Sequence, residues 1–119
     1  MKMETTASTT WTDICPQNDL TPNAGICAQF NGQQVAIFLS KRTDSVYAVS
    51  NFDPFGAANV LSRGIIGSTE DITYVASPLY KQRFNLATGE CLDSDKEQHQ
   101  LKTFDIRIEN EQVQLKEAS

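Results

Sequence analysis

At 119 residues, with 15 acidic against 10 basic side chains and a net charge of −5, the chain is long enough for one domain with a real core and too acidic to suit nucleic acid or an anionic membrane surface. Its 3 cysteines, Cys15, Cys27 and Cys91, form an odd set with no Cys-x-x-Cys pair, which excludes a disulfide-dense secreted framework and fits a reducing compartment.

The first stretch, Met1 to Thr10, carries Glu4 and a run of Thr and Ser where a signal peptide would need an apolar core, so a disordered tail is expected over 1–10. The longest apolar run, Val35-Ala36-Ile37-Phe38-Leu39, is far too short to span a bilayer, and a soluble cytoplasmic protein is expected. Trp11 is expected to give the core its first large side chain. Trp11 to Cys15 fits a short strand with Trp11, Asp13 and Cys15 on one face, stopped by Pro16.

Ile26 to Phe30 and Gln33 to Leu39 flank Asn31-Gly32, the strongest local hairpin signal, because both central residues of the tight turn need positive φ. Lys41 to Asp44 turns the chain again, and Ser45 to Val49 completes a three-stranded meander. From Ala57 to Ser68 the spacing allows one helical turn, but Gly56, Gly64 and Gly67 forbid a long helix. Ile72 to Val75 is a strand, Arg83 to Asn85 another, and Ala87-Thr88-Gly89 a turn. Asp93 to Gln100 has the composition of a solvated loop. A closing hairpin turns at Asn110-Glu111 and sets Phe104, Ile106 and Ile108 on one face. The chain is therefore expected to be all-β.

Two segments interrupt this strand pattern at a proline: Asn51-Phe52-Asp53-Pro54-Phe55-Gly56, and Ser77-Pro78-Leu79-Tyr80-Lys81-Gln82-Arg83-Phe84 followed by Asn85-Leu86-Ala87-Thr88-Gly89-Glu90. Together with Trp11-Thr12-Asp13-Ile14-Cys15 and the Asn31-Gly32 hairpin, they resemble a Rieske-type domain, which implies an antiparallel β-sandwich with two loops at one end over 11–116. In that family the first loop supplies Cys-x-His and the second Cys-Pro-x-His to a 2Fe-2S centre. Here the four degenerate positions hold Asn51, Asp53, Ser77 and Tyr80. The chain has 1 histidine, His99, where such a centre needs two imidazoles, so counting excludes the cluster.

Within that group the two loops are similar to those of the small subunit of assimilatory NAD(P)H-dependent nitrite reductase. The resemblance implies a non-catalytic, cofactor-free subunit that stabilises or orients a large subunit. That large subunit would carry FAD, an iron-sulfur cluster and sirohaem, and would reduce nitrite to ammonia. A relative of the electron-transfer ferredoxins acting as a freestanding binding module is the alternative.

The residues allow several roles at the loops. Asn51, Asp53, Ser77 and Tyr80 can plug the space an iron centre would leave with hydrogen bonds, Asn51, Asp53 and Ser77 holding the two loops together; a hard-cation site on the Asp53 carboxylate with Asn51 and Ser77 oxygens is the competing use, weakened by having a single carboxylate. Phe52, Phe55, Leu79 and Tyr80 beside Lys81 and Arg83 have the make-up of a partner interface, apolar within and basic at the rim, unless the aromatics pack inward. Cys15 and Cys27 are expected on neighbouring strands as buried free thiols, and His99 as an exposed loop residue rather than a general base.

Overall fold

The computed structural model describes residues 10–118; the tail expected over 1–10 lies outside the described residues except for Thr10. Eleven strands follow in chain order: β1 Thr12–Pro16, β2 Gly25–Phe30, β3 Gln33–Ser40, β4 Ser45–Ser50, β5 Phe52–Asp53, β6 Ala58–Asn59, β7 Ile65–Thr69, β8 Ile72–Ala76, β9 Arg83–Asn85, β10 Phe104–Glu109 and β11 Gln112–Glu117. Every pairing between them is antiparallel. They form sheets ordered β1-β11-β10, β2-β3-β4 and β7-β8-β9, with β5 and β6 as a small separate ladder. The all-β expectation holds.

The run Val35 to Leu39 has no polar alternation because β3 is covered on both sides, the circumstance in which a strand is apolar throughout. On one side, Val35 and Ile37 pack with Phe30, Ala48, Phe104, Val113 and Leu115 beneath the β10–β11 hairpin. On the other, Ala36 and Phe38 pack with Val49, Leu61, Val75, Phe84, Leu86 and Leu101 beneath β7-β8-β9. The β2-β3-β4 meander is thus a middle layer. It serves two cores at once and leads from β4 directly into the first proline loop.

Turn chemistry fixes the registers. Asn31 and Gly32 sit at φ 52° and 77°, as the hairpin requires, and the β10–β11 turn uses Asn110 and Glu111 at 53° and 65°. The β7–β8 hairpin was not expected from the sequence. It turns at Glu70 and Asp71, with φ of 48° and 70°, and it makes a strand of Ile65–Thr69, where no strand was expected. The one helical turn expected before Gly64 is a 3-10 turn over Leu61–Arg63.

Five local expectations are corrected. Trp11 belongs to neither core; the Arg107 guanidinium and the Lys116 ammonium lie over its ring, 4.4 and 4.8 Å from the centroid. Pro16 does not precede the end of β1 but is its last residue, paired with Gln112, which an edge strand tolerates. A bulge between Asp13 and Cys15 breaks the alternation, so Ile14 and Cys15 both pack against the core. Cys15 and Cys27 belong to different sheets, and Cys27 is exposed on β2 rather than buried. The segment from Asp93 to Gln100 is only partly solvated. The Gln100 side chain accepts the Cys91 N–H and donates to the Lys96 carbonyl, and His99 lies against Phe55 with ring centroids 4.0 Å apart.

Candidate functional site

The two proline loops meet. β4 ends at Ser50, and the next residues place Asn51 and Asp53 inside the domain, 2% and 0% exposed, while Phe52 between them points outward, as alternation along an extended chain demands. The second loop leaves β8 at Ala76, and Ser77 is likewise inside, at 1%. Its backbone closes tightly: Ser77 N–H donates to the Gln82 carbonyl and Lys81 N–H to the Ser77 carbonyl, with Lys81 in the left-handed region at φ 66°.

Asp53 is the hub. One carboxyl oxygen, Oδ1, accepts the Phe55 N–H at 2.8 Å and the Gly56 N–H at 3.4 Å, which shapes the first loop; the other, Oδ2, accepts the Ser77 hydroxyl across the gap. Ser77 Oγ in turn accepts the Leu79 N–H at 3.2 Å. Each polar atom of this buried pair is partnered, which is what keeps burial of a carboxyl group tolerable. Asn51 faces elsewhere: its Oδ1 accepts the Ser62 N–H at 2.6 Å and its Nδ2 donates to Gln34 Oε1 at 3.0 Å, so it ties the first loop to β3 and to the 3-10 turn at 61–63. Tyr80 is 63% exposed and takes no part in this network.

A second contact joins the loops. At Gly56 an added Cβ would lie 2.3 Å from Leu79 Cδ1, because the tip of that side chain sits where a side chain at 56 would begin. Leu79 therefore rests on bare backbone of the first loop while staying 45% exposed.

A 2Fe-2S centre of the Rieske kind takes two thiolates and two imidazoles. The four positions that the resemblance sets against those ligands offer an amide, a carboxyl, a hydroxyl and a phenol, and two of these four close on each other. The residues do not fit the group. Nor do they make a hard-cation site, since both Asp53 oxygens already accept protein donors. Among the described residues no three His, Cys, Asp or Glu side chains gather as a metal site.

Of the side chains grouped as an interface, Phe52, Leu79 and Tyr80 are exposed, and Lys81 is exposed beside them. Phe55 turns inward. It is half-buried against Phe84, at 6.2 Å between centroids, and against His99. Arg83 is engaged as well: its Nη2 lies 2.8 Å from Asp93 Oδ1 and its N–H and Nε donate to Oδ2. Hydrogen bonding from Arg83 holds the Asp93 carboxyl below the usual carboxylate range. Sequence reasoning missed Ile65, 74% exposed at the start of β7, and the Gln34 and Ser62 partners of Asn51. Reading 65–69 as a strand would have found Ile65, because alternation sends Ile66 to the core and Ile65 to solvent.

Comparison with known proteins places these features in a lineage. The Rieske-like 2Fe-2S domain family matches residues 10–116. The nitrite reductase (NADH) small subunit of Salmonella typhimurium is 46% identical over 106 residues, covering 89% of this chain and 96% of that one. The solution structure of Escherichia coli NirD superposes with a TM-score of 0.81 at 44% identity, covering 92% of this chain and 98% of the other. A segment amounting to 10% of the nitrite reductase (NAD(P)H) large subunit of Klebsiella oxytoca is 37% identical over 103 residues, 87% of this chain.

Proposed function

Because this chain belongs to the Rieske-like 2Fe-2S domain family and, within it, to the small subunits of nitrite reductase, we propose that it works as a non-catalytic subunit of a cytoplasmic NAD(P)H-dependent nitrite reductase. It stabilises or orients a large subunit that carries FAD, an iron-sulfur cluster and sirohaem and reduces nitrite to ammonia for assimilation. The observation that carries this reading is the Asp53–Ser77 hydrogen bond. A hydrogen bond between a hydroxyl and a carboxyl stores no electron, and on the loop-to-loop match that the resemblance implies it stands in for the redox group that a relative holds with thiolate and imidazole ligands. What the exchange keeps is shape: two loops held at a fixed separation at one end of a rigid sandwich.

The Klebsiella oxytoca match supports the partnership. There a domain of this kind lies within a chain named as the large subunit, and a tether of that sort keeps two surfaces at high effective concentration. Two separate chains have to reach the same association through contacts alone. The test is co-expression with a large subunit, then nitrite-dependent NADH oxidation by the large subunit with and without this chain. Co-purification at fixed stoichiometry, and faster loss of activity when this chain is omitted, are the expected results. Failure of the two chains to co-purify would overturn the reading.

A further inference from the structure

The exposed large hydrophobic side chains among the described residues are Phe52, Ile65, Leu79 and Tyr80, and all four lie in or beside the two proline loops that Asp53 and Ser77 join. Phe52 precedes Asp53, and Leu79 and Tyr80 follow Ser77 within the second loop. Ile65 pairs across the sheet with Ala76, the residue before Ser77. Two elements separated in sequence by the whole β7–β8 hairpin thus bring apolar side chains to the same pair of loops. Scattered exposed hydrophobics need no explanation, but segregation to one end of an otherwise polar surface marks an interaction site.

Charge defines the occupant further. Arg63 and Lys81 flank this end, both are exposed, and neither has an ion pair among the described residues. Arg83, on the same outer row as Ile65 and Ala76, is already neutralised by Asp93. In a chain of net charge −5 this leaves two free cations beside the apolar cluster. The complementary surface is apolar at its centre with carboxylates at its edge.

We propose that Phe52, Ile65, Leu79 and Tyr80, rimmed by Arg63 and Lys81, form the face on which the nitrite reductase large subunit docks. This rests on the subunit reading above and gives it an orientation: the braced loops point into the complex, and the far end of the sandwich points away, where the 3-10 turn Gln17–Asp19 adjoins the β10–β11 turn through the Gln17 N–H to Glu111 carbonyl bond, opposite the Val49–Thr103 bridge beside the first loop. Phe55 is a support beneath the face, packed on Phe84 and His99, and Arg83 is held at its edge by Asp93. Rigid loops suit this use, because little conformational freedom is lost when they are covered.

The experiment measures binding of the purified large subunit to the full chain and to Ile65→Glu, Tyr80→Glu, Lys81→Glu and Asn18→Glu variants, each checked for unchanged thermal unfolding. Ile65→Glu and Tyr80→Glu should each weaken binding about tenfold or more, while Asn18→Glu, at the far end, stays within about twofold. Lys81→Glu should slow association at low salt and lose that effect at high salt. If the wild-type chain binds and both Ile65→Glu and Tyr80→Glu bind within about twofold of it, this face is not the contact and the subunit reading stands. If the wild-type chain itself does not bind, both fall together.

Discussion

The Ser77 hydroxyl donates to Oδ2 of Asp53 at a point where both residues are sealed from solvent, so a single polar contact closes the second proline loop on the first. The energetics of that contact follow from burial. Ser77→Ala leaves one carboxyl oxygen short of a donor and should cost about 1–3 kcal/mol. Asp53→Ala strands the Phe55 and Gly56 N–H groups as well as the Ser77 hydroxyl, and should cost about 3 kcal/mol or more. Urea unfolding of the two single variants and the double should give a coupling of about 1–3 kcal/mol. Additive effects would show that the two residues act independently.

Gly56→Ala tests the other contact between the loops. The backbone there is open to alanine, and the atom in the way is the tip of a flexible Leu79 side chain, so the loss of stability should stay within about 1 kcal/mol. Leu79 must move aside, however. Binding of the large subunit should weaken more than folding does, and calorimetry on both processes separates the two.

The three thiols should react in a definite order. Cys27 is exposed on β2, whereas burial pushes the Cys15 and Cys91 thiols up, away from the reactive thiolate. Iodoacetamide labelling of the folded protein, followed by peptide mass spectrometry, should modify Cys27 first and Cys91 slowest. Equal labelling of all three under native conditions would contradict the placement of Cys91 in the core.

Acid should loosen the fold at two known points. Asp93 is held below the usual carboxylate range by its hydrogen bond from Arg83, and Glu117 by bonds from Lys102 and Asn31. A carboxyl group whose folded value is depressed adds stability that is complete above its unfolded value and is lost as pH falls through the folded one. The loss therefore belongs below about pH 4.5. Both groups are partly solvated, so solvent screening keeps each contribution small. Thermal unfolding between neutral and acid pH should fall less steeply in an Asp93→Asn, Glu117→Gln variant than in the wild type.

Much of this was legible in the sequence because local chemistry and fold agree. Asn31-Gly32 fixed the first hairpin, and the run Val35 to Leu39 was read as one of its arms, though that it carries a core on each side shows only in the packing. The two proline loops stood out through their spacing and composition. What stayed hidden depended on contacts distant in sequence. Glu70 and Asp71 carry no strong preference for positive φ, so the β7–β8 hairpin follows from the pairing of Ile66 with Val75 over the core rather than from its turn. Missing that strand also concealed Ile65. The bulge at Ile14 shows only in register against β11. His99 looks like loop composition until Phe55 is seen lying on it. At the site itself, the polar residues could be picked out one by one. Which of them face one another could not, since Asp53 turns to Ser77 while Asn51 turns to Gln34 and Ser62.

The most direct measurement is the iron content and visible spectrum of this chain purified anaerobically together with its large subunit and then separated from it. A loop pair closed by Asp53 and Ser77 predicts a colourless protein with far less than one iron per chain. Reddish-brown protein with stoichiometric iron would contradict the account.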